Sequence, residues 1–160
     1  MFKNLKFFIL FIVMTNSFFS FSQDKIETEE WIIKIYNEYE REFNSEFDLI
    51  FENNFLVYTY FNSNFRVKVS DITKIEIINE RVNKSDNEGW SSIYIYFNKG
   101  KLQTKEKKES KYITSENGNN IKILLSSNFI TDGYTERIQK ALIHLVKLNG
   151  GKAVIKKEPF

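Results

Sequence analysis

The segment Tyr134–Leu148, YTERIQKALIHLVKL, has the most regular pattern in the chain and is followed by Gly150 and Gly151. Its apolar residues recur at steps of three and four and so share one helical face: Tyr134, Ile138, Ala141, Leu142, Leu145 and Leu148. Asp132 stands at the expected N-cap, and the glycines stand at the expected left-handed C-cap. Burying this face is worth roughly 1.5–3 kcal/mol per large side chain, which a lone helix cannot gain. The helix therefore predicts an apolar layer beneath it, and the preceding residues have the pattern of a sheet.

Residues 47–125 change to a period of two and to aromatic and β-branched side chains, as strands do. The clearest strand is Trp90–Phe97, and further strands are predicted at 47–51, 55–61, 65–69, 72–78 and 121–125. Short polar segments at 52–54 and 62–64 predict turns between them. The lysine-rich residues 101–111 fit either an exposed edge strand or a disordered segment, and the sequence leaves both open.

Residues 28–43 predict a first helix, with Thr28 as its cap. No crossover helix separates the strands, so their pairing should be antiparallel. The chain therefore predicts an α+β fold: an N-terminal helix, a bent antiparallel sheet or partial barrel of six to seven strands, and a C-terminal amphipathic helix packed on it. Residues 23–151 form the single predicted domain, and residues 152–160 form a tail in which 153–155 also fit pairing with a sheet edge.

This order of elements resembles the pleckstrin-homology-like fold, in which a C-terminal helix plugs a curled sheet. Residues 67–77, VKVSDITKIEI, are similar to the strand–turn–strand of many bacterial members, and the resemblance covers about residues 47–149. The resemblance implies a fold and no single activity, because functions in this family vary widely. None of its lipid- or peptide-contacting motifs transfers to residues of this chain. The chain also resembles small uncharacterised exported bacterial proteins.

The N-terminal residues have the layout of a secretory signal peptide. Residues 1–6 form a short basic region with Lys3 and Lys6, and residues 7–14 (FFILFIVM) are apolar. Ser20 and Ser22 place small side chains before the cleavage point. A membrane-spanning helix needs about 20 apolar residues, many more than this segment has. We therefore expect cleavage after Ser22 and a mature protein that is periplasmic or secreted and does not span the membrane.

Composition disfavours several classes of function. Lys3 and Lys6 belong to the leader, so the rest of the chain carries 21 basic residues against 21 acidic ones. A balance near zero disfavours a nucleic-acid partner, and the absence of cysteine excludes a disulfide scaffold and thiol catalysis. Acidic residues are concentrated over 24–46 and lysines over 99–111; these regions either orient a partner, face each other or are simply solvated.

The sequence contains no catalytic constellation, so no catalytic residue, metal ligand or cofactor is predicted. His144 is the only imidazole and lies beside the apolar face of its helix, where a structural role is the simpler interpretation. Ile143 lies nearly opposite the centre of that face and is a candidate exposed anchor. Residues 86–89, DNEG, only hint at an oxygen-rich calcium loop.

Aromatic residues on the predicted strands are the remaining unusual feature. The candidate ligand-binding residues are Tyr58, Tyr60, Tyr94, Tyr96 and Trp90. A tyrosine-lined sheet face offers apolar bodies and polar tips to a peptide, glycan or lipid. The alternative is that these side chains form a second core layer beneath the first helix.

We therefore expect a non-enzymatic binding module of the bacterial envelope, whose partner is an envelope protein, a glycan or a lipid. One alternative is a small hydrolase that uses carboxylates or His144. Another is an immunity-type or envelope-stress protein that acts through its acidic and basic surfaces.

Overall fold

The computed structural model describes residues 24–40, 46–80 and 90–155. Of Asn79, Glu80, Trp90 and Ile155 it describes the backbone alone. The predicted signal peptide at 1–22 and the DNEG segment at 86–89 lie outside the described residues, so both stay predictions.

Three helices and nine strands make up the described chain. Helix α1 covers residues 24–40, α2 covers Ser127–Thr131 and α3 covers Tyr134–Leu148. The strands are β1 (Phe47–Glu52), β2 (Phe55–Tyr60), β3 (Ser63–Lys68), β4 (Ile72–Glu80), β5 (Trp90–Phe97), β6 (Leu102–Glu106), β7 (Ile113–Ser115), β8 (Asn120–Leu125) and β9 (Val154–Ile155). A single 3-10 turn, Val69–Asp71, joins β3 to β4.

The strands form two sheets. The first sheet has the order β1-β2-β3-β6-β7 and the second has the order β8-β5-β4-β9. Every pairing is antiparallel except β4 with β9, which is parallel. The predicted α+β class, with a helix at each end of antiparallel strands, is therefore confirmed. The division into two sheets was not predicted. The 3-10 turn after β3 directs the chain into a second sheet, and the alternation of residues along the strands gives no sign of this.

The two alternatives for residues 101–111 are also decided. Leu102–Glu106 is a strand, β6, but it is not at an edge, since β3 lies on one side and β7 on the other. The short strand β9 pairs with β4, as the pattern of 153–155 allowed.

The β1–β2 hairpin turns through Asn53 and Asn54, whose φ values are 51° and 66°. Two consecutive left-handed residues match the two-residue turn whose twist fits a hairpin, and asparagine tolerates that conformation. The predicted turn at 52–54 is thus confirmed. The next turn comes earlier than predicted, because β2 ends at Tyr60 and Phe61 adopts a φ of 52°.

Helix α1 starts before the predicted position. Residues 24–40 are helical, so Thr28 lies one turn inside the helix and is not its cap. The Thr28 hydroxyl donates instead to the carbonyl oxygen of Asp24 at 2.7 Å, a bond within the helix. The predicted end at residue 43 lies outside the described residues.

Helix α3 has the predicted bounds, but its N-terminus differs from the prediction. Gly133, with a φ of 72°, occupies the N-cap position, and no side chain bonds there. Asp132 was wrongly predicted as the cap, because the unpredicted helix α2 ends at that residue. The predicted C-cap is confirmed: left-handed Gly150 donates to Lys147 O at 2.9 Å, and Gly151 donates to Val146 O at 2.9 Å.

Both sheets and all three helices share one hydrophobic core. Its most buried members come from every layer: Ile32, Leu49, Leu56, Ile75, Ile95, Phe129, Ile138 and Leu145. Ile143, predicted to be exposed, is only 8 % exposed and belongs to this core. On the same side of α3, Gln139 donates to Ile75 O of β4 at 3.0 Å. The contact of α3 with β4 therefore extends beyond the apolar face that the sequence predicted.

Candidate functional site

The four predicted tyrosines divide between the two sheets. Tyr58 and Tyr60 are on β2 of the first sheet, with ring centroids 6.3 Å apart. Tyr94 and Tyr96 are on β5 of the second sheet and stack at 6.2 Å. They therefore form two pairs rather than one continuous face.

Tyr58 is covered by the first helix. Its side chain is 1 % exposed, and its ring meets that of Tyr36 on α1 edge-on at 6.5 Å. At this residue the structure matches the core-layer alternative. Tyr60, two residues further along β2, is 38 % exposed and stacks on Phe47 at 5.2 Å. Phe61 meets the same ring edge-on at 4.7 Å, so the Tyr60 ring is packed against two aromatic side chains and is still partly exposed.

The tyrosine pair of the second sheet lies among cations. The ammonium group of Lys74 lies 4.3 Å from the Tyr96 ring centroid, and that of Lys122 lies 5.7 Å from the Tyr94 ring centroid. Lys74 also forms an ion pair of 2.6 Å with Glu76. This side of the second sheet is thus a polar, half-buried surface. Trp90 begins β5, and its side chain lies outside the described part of the structure.

A cleft of about 370 Å³ lies where the first sheet meets strand β8 of the second. We call it the inter-sheet cleft; its walls are Tyr58, Tyr60, Phe65, Leu102, Asn120, Ile121, Lys122 and Leu124. Six of these eight side chains are aromatic or aliphatic, while Lys122 and Asn120 bring polar groups to one side. Ligand sites have this composition: mostly apolar walls with a few polar groups that fix orientation.

The sequence identified only part of this site. Tyr58 and Tyr60 were predicted, and Phe65 and Leu124 were assigned to strands without a role. Leu102 lay in the segment left open between an edge strand and disorder. The common wall of these residues depends on β6 returning to pair with β3 and on β8 of the second sheet lying beside the first sheet. Neither feature leaves a signal in the spacing of residues along the chain.

Tyr58, one wall of the inter-sheet cleft, belongs to a group of buried polar side chains. We call Tyr36, Glu40, Tyr58 and Ser126 the buried polar cluster. Glu40 accepts a hydrogen bond of 2.6 Å from the Ser126 backbone amide and is 1 % exposed. The hydroxyls of Tyr36 and Tyr58 lack a hydrogen bond of regular geometry, although each lies close enough to affect the ionisation of the other.

Burial controls the ionisation of this cluster. It raises the pKa of the Glu40 carboxyl above its ordinary value, and the Ser126 hydrogen bond offsets this in part. Burial likewise raises the pKa of Tyr58 to about 12 and that of Tyr36 still further. The tyrosine hydroxyls therefore stay neutral at physiological pH, and Tyr58 gives the inter-sheet cleft an uncharged wall.

His144 lies far from this cleft, on a surface groove between α1 and α3. Its Nε2 atom is 3.2 Å from Asp24 Oδ2, and both side chains are about half exposed. Thr28 lines the same groove, but its hydroxyl donates to a backbone carbonyl and is not directed at the imidazole. The pair therefore has the geometry of a surface ion pair, which stabilises a fold by ~0–1 kcal/mol.

Within residues 24–40, 46–80 and 90–155, no group of three or more His, Cys, Asp or Glu side chains is placed to hold a metal ion. No helix in this part of the chain has the length and apolar character needed to cross a membrane.

Comparisons with family models, with curated proteins and with solved structures find no match for this chain. The resemblance to the pleckstrin-homology-like fold stays a prediction.

Proposed function

We propose that this chain is an exported, non-enzymatic binding module of the bacterial envelope, and that the inter-sheet cleft is its ligand site. The observation that carries the proposal is the cleft itself, which presents Tyr60, Phe65 and Leu124 to solvent across about 370 Å³. Partly exposed apolar side chains that surround a concavity gain free energy when a ligand displaces water from them. The signal-peptide pattern of residues 1–22 supports the exported location.

The walls of the cleft favour a ligand with an apolar body and an anionic or polar end. The apolar body would lie against Tyr60 and Phe65, and the polar end would lie near Lys122, which is exposed. Much of the site is preformed, because Tyr58 is fixed by Tyr36 and Tyr60 is stacked on Phe47. A preformed site reduces the entropy lost on binding.

The hydrolase alternative has one supporting observation, the His144–Asp24 pair of 3.2 Å beside a groove of about 500 Å³. The nearby hydroxyl of Thr28 is occupied by the Asp24 carbonyl, so the groove offers the imidazole no directed nucleophile from this residue. The immunity-type or envelope-stress alternative rests on the uneven charge of the sequence alone. We therefore favour the binding module over both.

The test uses the anionic apolar dye 1-anilinonaphthalene-8-sulfonate and the chain from residue 23 to 160. Leu124→Thr places a residue that favours strands on β8 but removes an apolar wall of the inter-sheet cleft. We expect dye fluorescence on the unchanged protein and roughly five- to tenfold weaker binding by the variant, since one lost apolar contact costs about 1–1.5 kcal/mol.

The matched control is Ile113→Thr, on β7 of the first sheet. Ile113 is exposed and does not line the cleft, so this variant should bind the dye as the unchanged protein does. Circular dichroism would establish that both variants are folded. Equal dye binding by Leu124→Thr and the unchanged protein would contradict the proposal.

A further inference from the structure

Strand β8 forms one wall of the inter-sheet cleft and is also an edge strand of the second sheet. It pairs with β5 in antiparallel register, with Ile121 opposite Ile95 and Ile123 opposite Ile93. Phe97 donates to Asn119 O at 2.9 Å, so that pair is hydrogen-bonded. Because hydrogen-bonded pairs alternate along an antiparallel ladder, Ile121, Ile123 and Leu125 also bond to β5.

The intervening residues of β8 direct their backbone groups away from β5. These residues are Asn120, Lys122 and Leu124. Near Leu124 the edge is closed, because the Tyr58 hydroxyl approaches its amide and the Ser126 amide donates to Glu40. The stretch around Asn120 and Lys122 borders the inter-sheet cleft.

From this arrangement we infer that the ligand of the inter-sheet cleft is an extended peptide segment that adds to β8 as a further strand. The inference rests on the function proposed above and names the class of ligand. Main-chain hydrogen bonds to Asn120 and Lys122 of β8 would hold the segment, and alternate side chains would enter the cleft. A cleft whose wall is a strand edge can bind a backbone as well as side chains.

The positions of the side chains define a preferred peptide pattern. Side chains alternate across a strand, so a peptide residue opposite Lys122 lies on the same face as its ammonium group. An acidic residue is favoured at that position. The residues on either side of it point to the opposite face, towards Phe65 and Leu102 of the first sheet, where apolar side chains are favoured.

A second copy of the chain fits this edge poorly. When two β8 edges pair about a two-fold axis centred on this residue, Lys122 lies opposite Lys122, and directly opposed like charges are destabilising. A lysine on an edge strand acts in the same way against aggregation. An acidic, apolar peptide from another protein therefore suits the site better than a copy of this chain.

The experiment measures binding of a fluorescein-labelled peptide, acetyl-TVEVT-amide, by fluorescence anisotropy to the chain from residue 23 to 160. Two N-methylated forms of the peptide separate strand addition from simple apolar contact. Methylation of the glutamate nitrogen removes the donor that would bond to β8, whereas methylation of the following valine nitrogen alters a group that points away. We expect the first form to bind at least tenfold more weakly and the second to bind within about threefold of the unmodified peptide.

A charge exchange tests the register. Lys122→Glu should weaken binding of the glutamate peptide about tenfold and should improve binding of acetyl-TVKVT-amide, because the opposed charges then attract. If Lys122→Glu binds the lysine peptide well, its weaker binding of the glutamate peptide cannot be due to a loss of folding. The inference would be overturned if both methylated peptides bound like the unmodified one, or if no peptide displaced the naphthalene dye from a cleft that binds it.

Those outcomes differ from failure of the proposed function. If Leu124→Thr weakens dye binding but no peptide displaces the dye, the cleft is an apolar ligand site and strand addition is contradicted. Dye binding insensitive to Leu124→Thr would remove the cleft itself as the site. A dimer of the unchanged chain in sedimentation equilibrium that Lys122→Glu strengthens or weakens would identify the edge as a self-association surface and would also overturn the inference.

Discussion

At the residue scale, Glu40 combines burial with a hydrogen bond to the Ser126 amide of 2.6 Å. The carboxyl is buried on α1, and burial raises its pKa above the ordinary value. A raised pKa in the folded state means that folding favours the protonated form. As pH rises from about 4.3 through the folded-state pKa, ionisation of Glu40 therefore lowers the free energy of unfolding. The free-energy cost of burying the ionised carboxylate is absent below this pH window and fully present above it.

We predict that Glu40→Gln stabilises the protein relative to the unchanged chain as pH rises from 4 to 7. The amide oxygen can still accept the Ser126 hydrogen bond, and no charge has to be buried. Within the window the difference should grow by about 1.4 kcal/mol per pH unit. Urea denaturation at several pH values measures it, and a difference that is independent of pH would contradict the prediction.

The control at the same position is Glu40→Ala. This variant removes both the charge and the acceptor, so the buried Ser126 amide is left without its hydrogen bond. We expect a loss of about 1–3 kcal/mol relative to Glu40→Gln at every pH. The two variants together separate the carboxyl's charge from its role as an acceptor.

At the scale of elements, the sequence predicted what depends on local periodicity. Helix α3 and strand β5 have the predicted bounds because each has enough residues for its pattern to show. The cap at Asp132 was wrong because α2 has only five residues, too few for a helical repeat. Strand β7, with three residues, was too short to predict for the same reason, whereas β9 lies in a segment whose pattern allowed pairing with a sheet edge.

The candidate site was harder to predict than the elements. Burial of Tyr58 under Tyr36 depends on where α1 lies, and its position is determined by contacts over long sequence separations. Lys122 was not a candidate, because its significance comes from the edge position of β8. The order of strands in a sheet is not encoded in the alternation of any single strand.

Tyr39 connects α1 to the junction between α2 and α3. Its hydroxyl donates to Asp132 Oδ2 at 2.6 Å, which raises the pKa of Tyr39, and its ring packs on Phe129 at 5.5 Å. We predict that Tyr39→Phe lowers the free energy of unfolding only modestly, because the ring contacts remain and only an exposed hydrogen bond is lost.

A double-mutant cycle with Asp132→Ala measures this interaction directly. If the hydrogen bond links α1 to the α2–α3 junction, the double variant should lose less stability than the sum of the two single variants. Strictly additive losses would mean that the two side chains contribute independently. Tyr134→Phe provides the matched control, since it alters a hydroxyl in the same aromatic group but not the one bonded to Asp132.

At the scale of the whole molecule, the two sheets are separate in hydrogen bonding but continuous in packing. Leu56 of the first sheet and Ile95 of the second are fully buried in the same core. Helix α1 adds a second connection, since Tyr36 packs on the first sheet and Glu40 bonds to the residue that follows β8. Such an arrangement cannot lose one sheet without exposing the apolar side of the other.

We therefore predict that both sheets unfold in one cooperative transition. Leu56→Ala should lower the free energy of unfolding by about 2–5 kcal/mol and Ile95→Val by about 0.5–1.5 kcal/mol. Urea denaturation followed by far-ultraviolet and aromatic circular dichroism should give coincident curves for each variant, with the denaturant slope unchanged. If Leu56→Ala instead produced a separate early transition while Ile95→Val shifted only a later one, the sheets would be independent folding units. The inter-sheet cleft would then lie between two units able to move apart, whereas a single transition gives it two fixed walls.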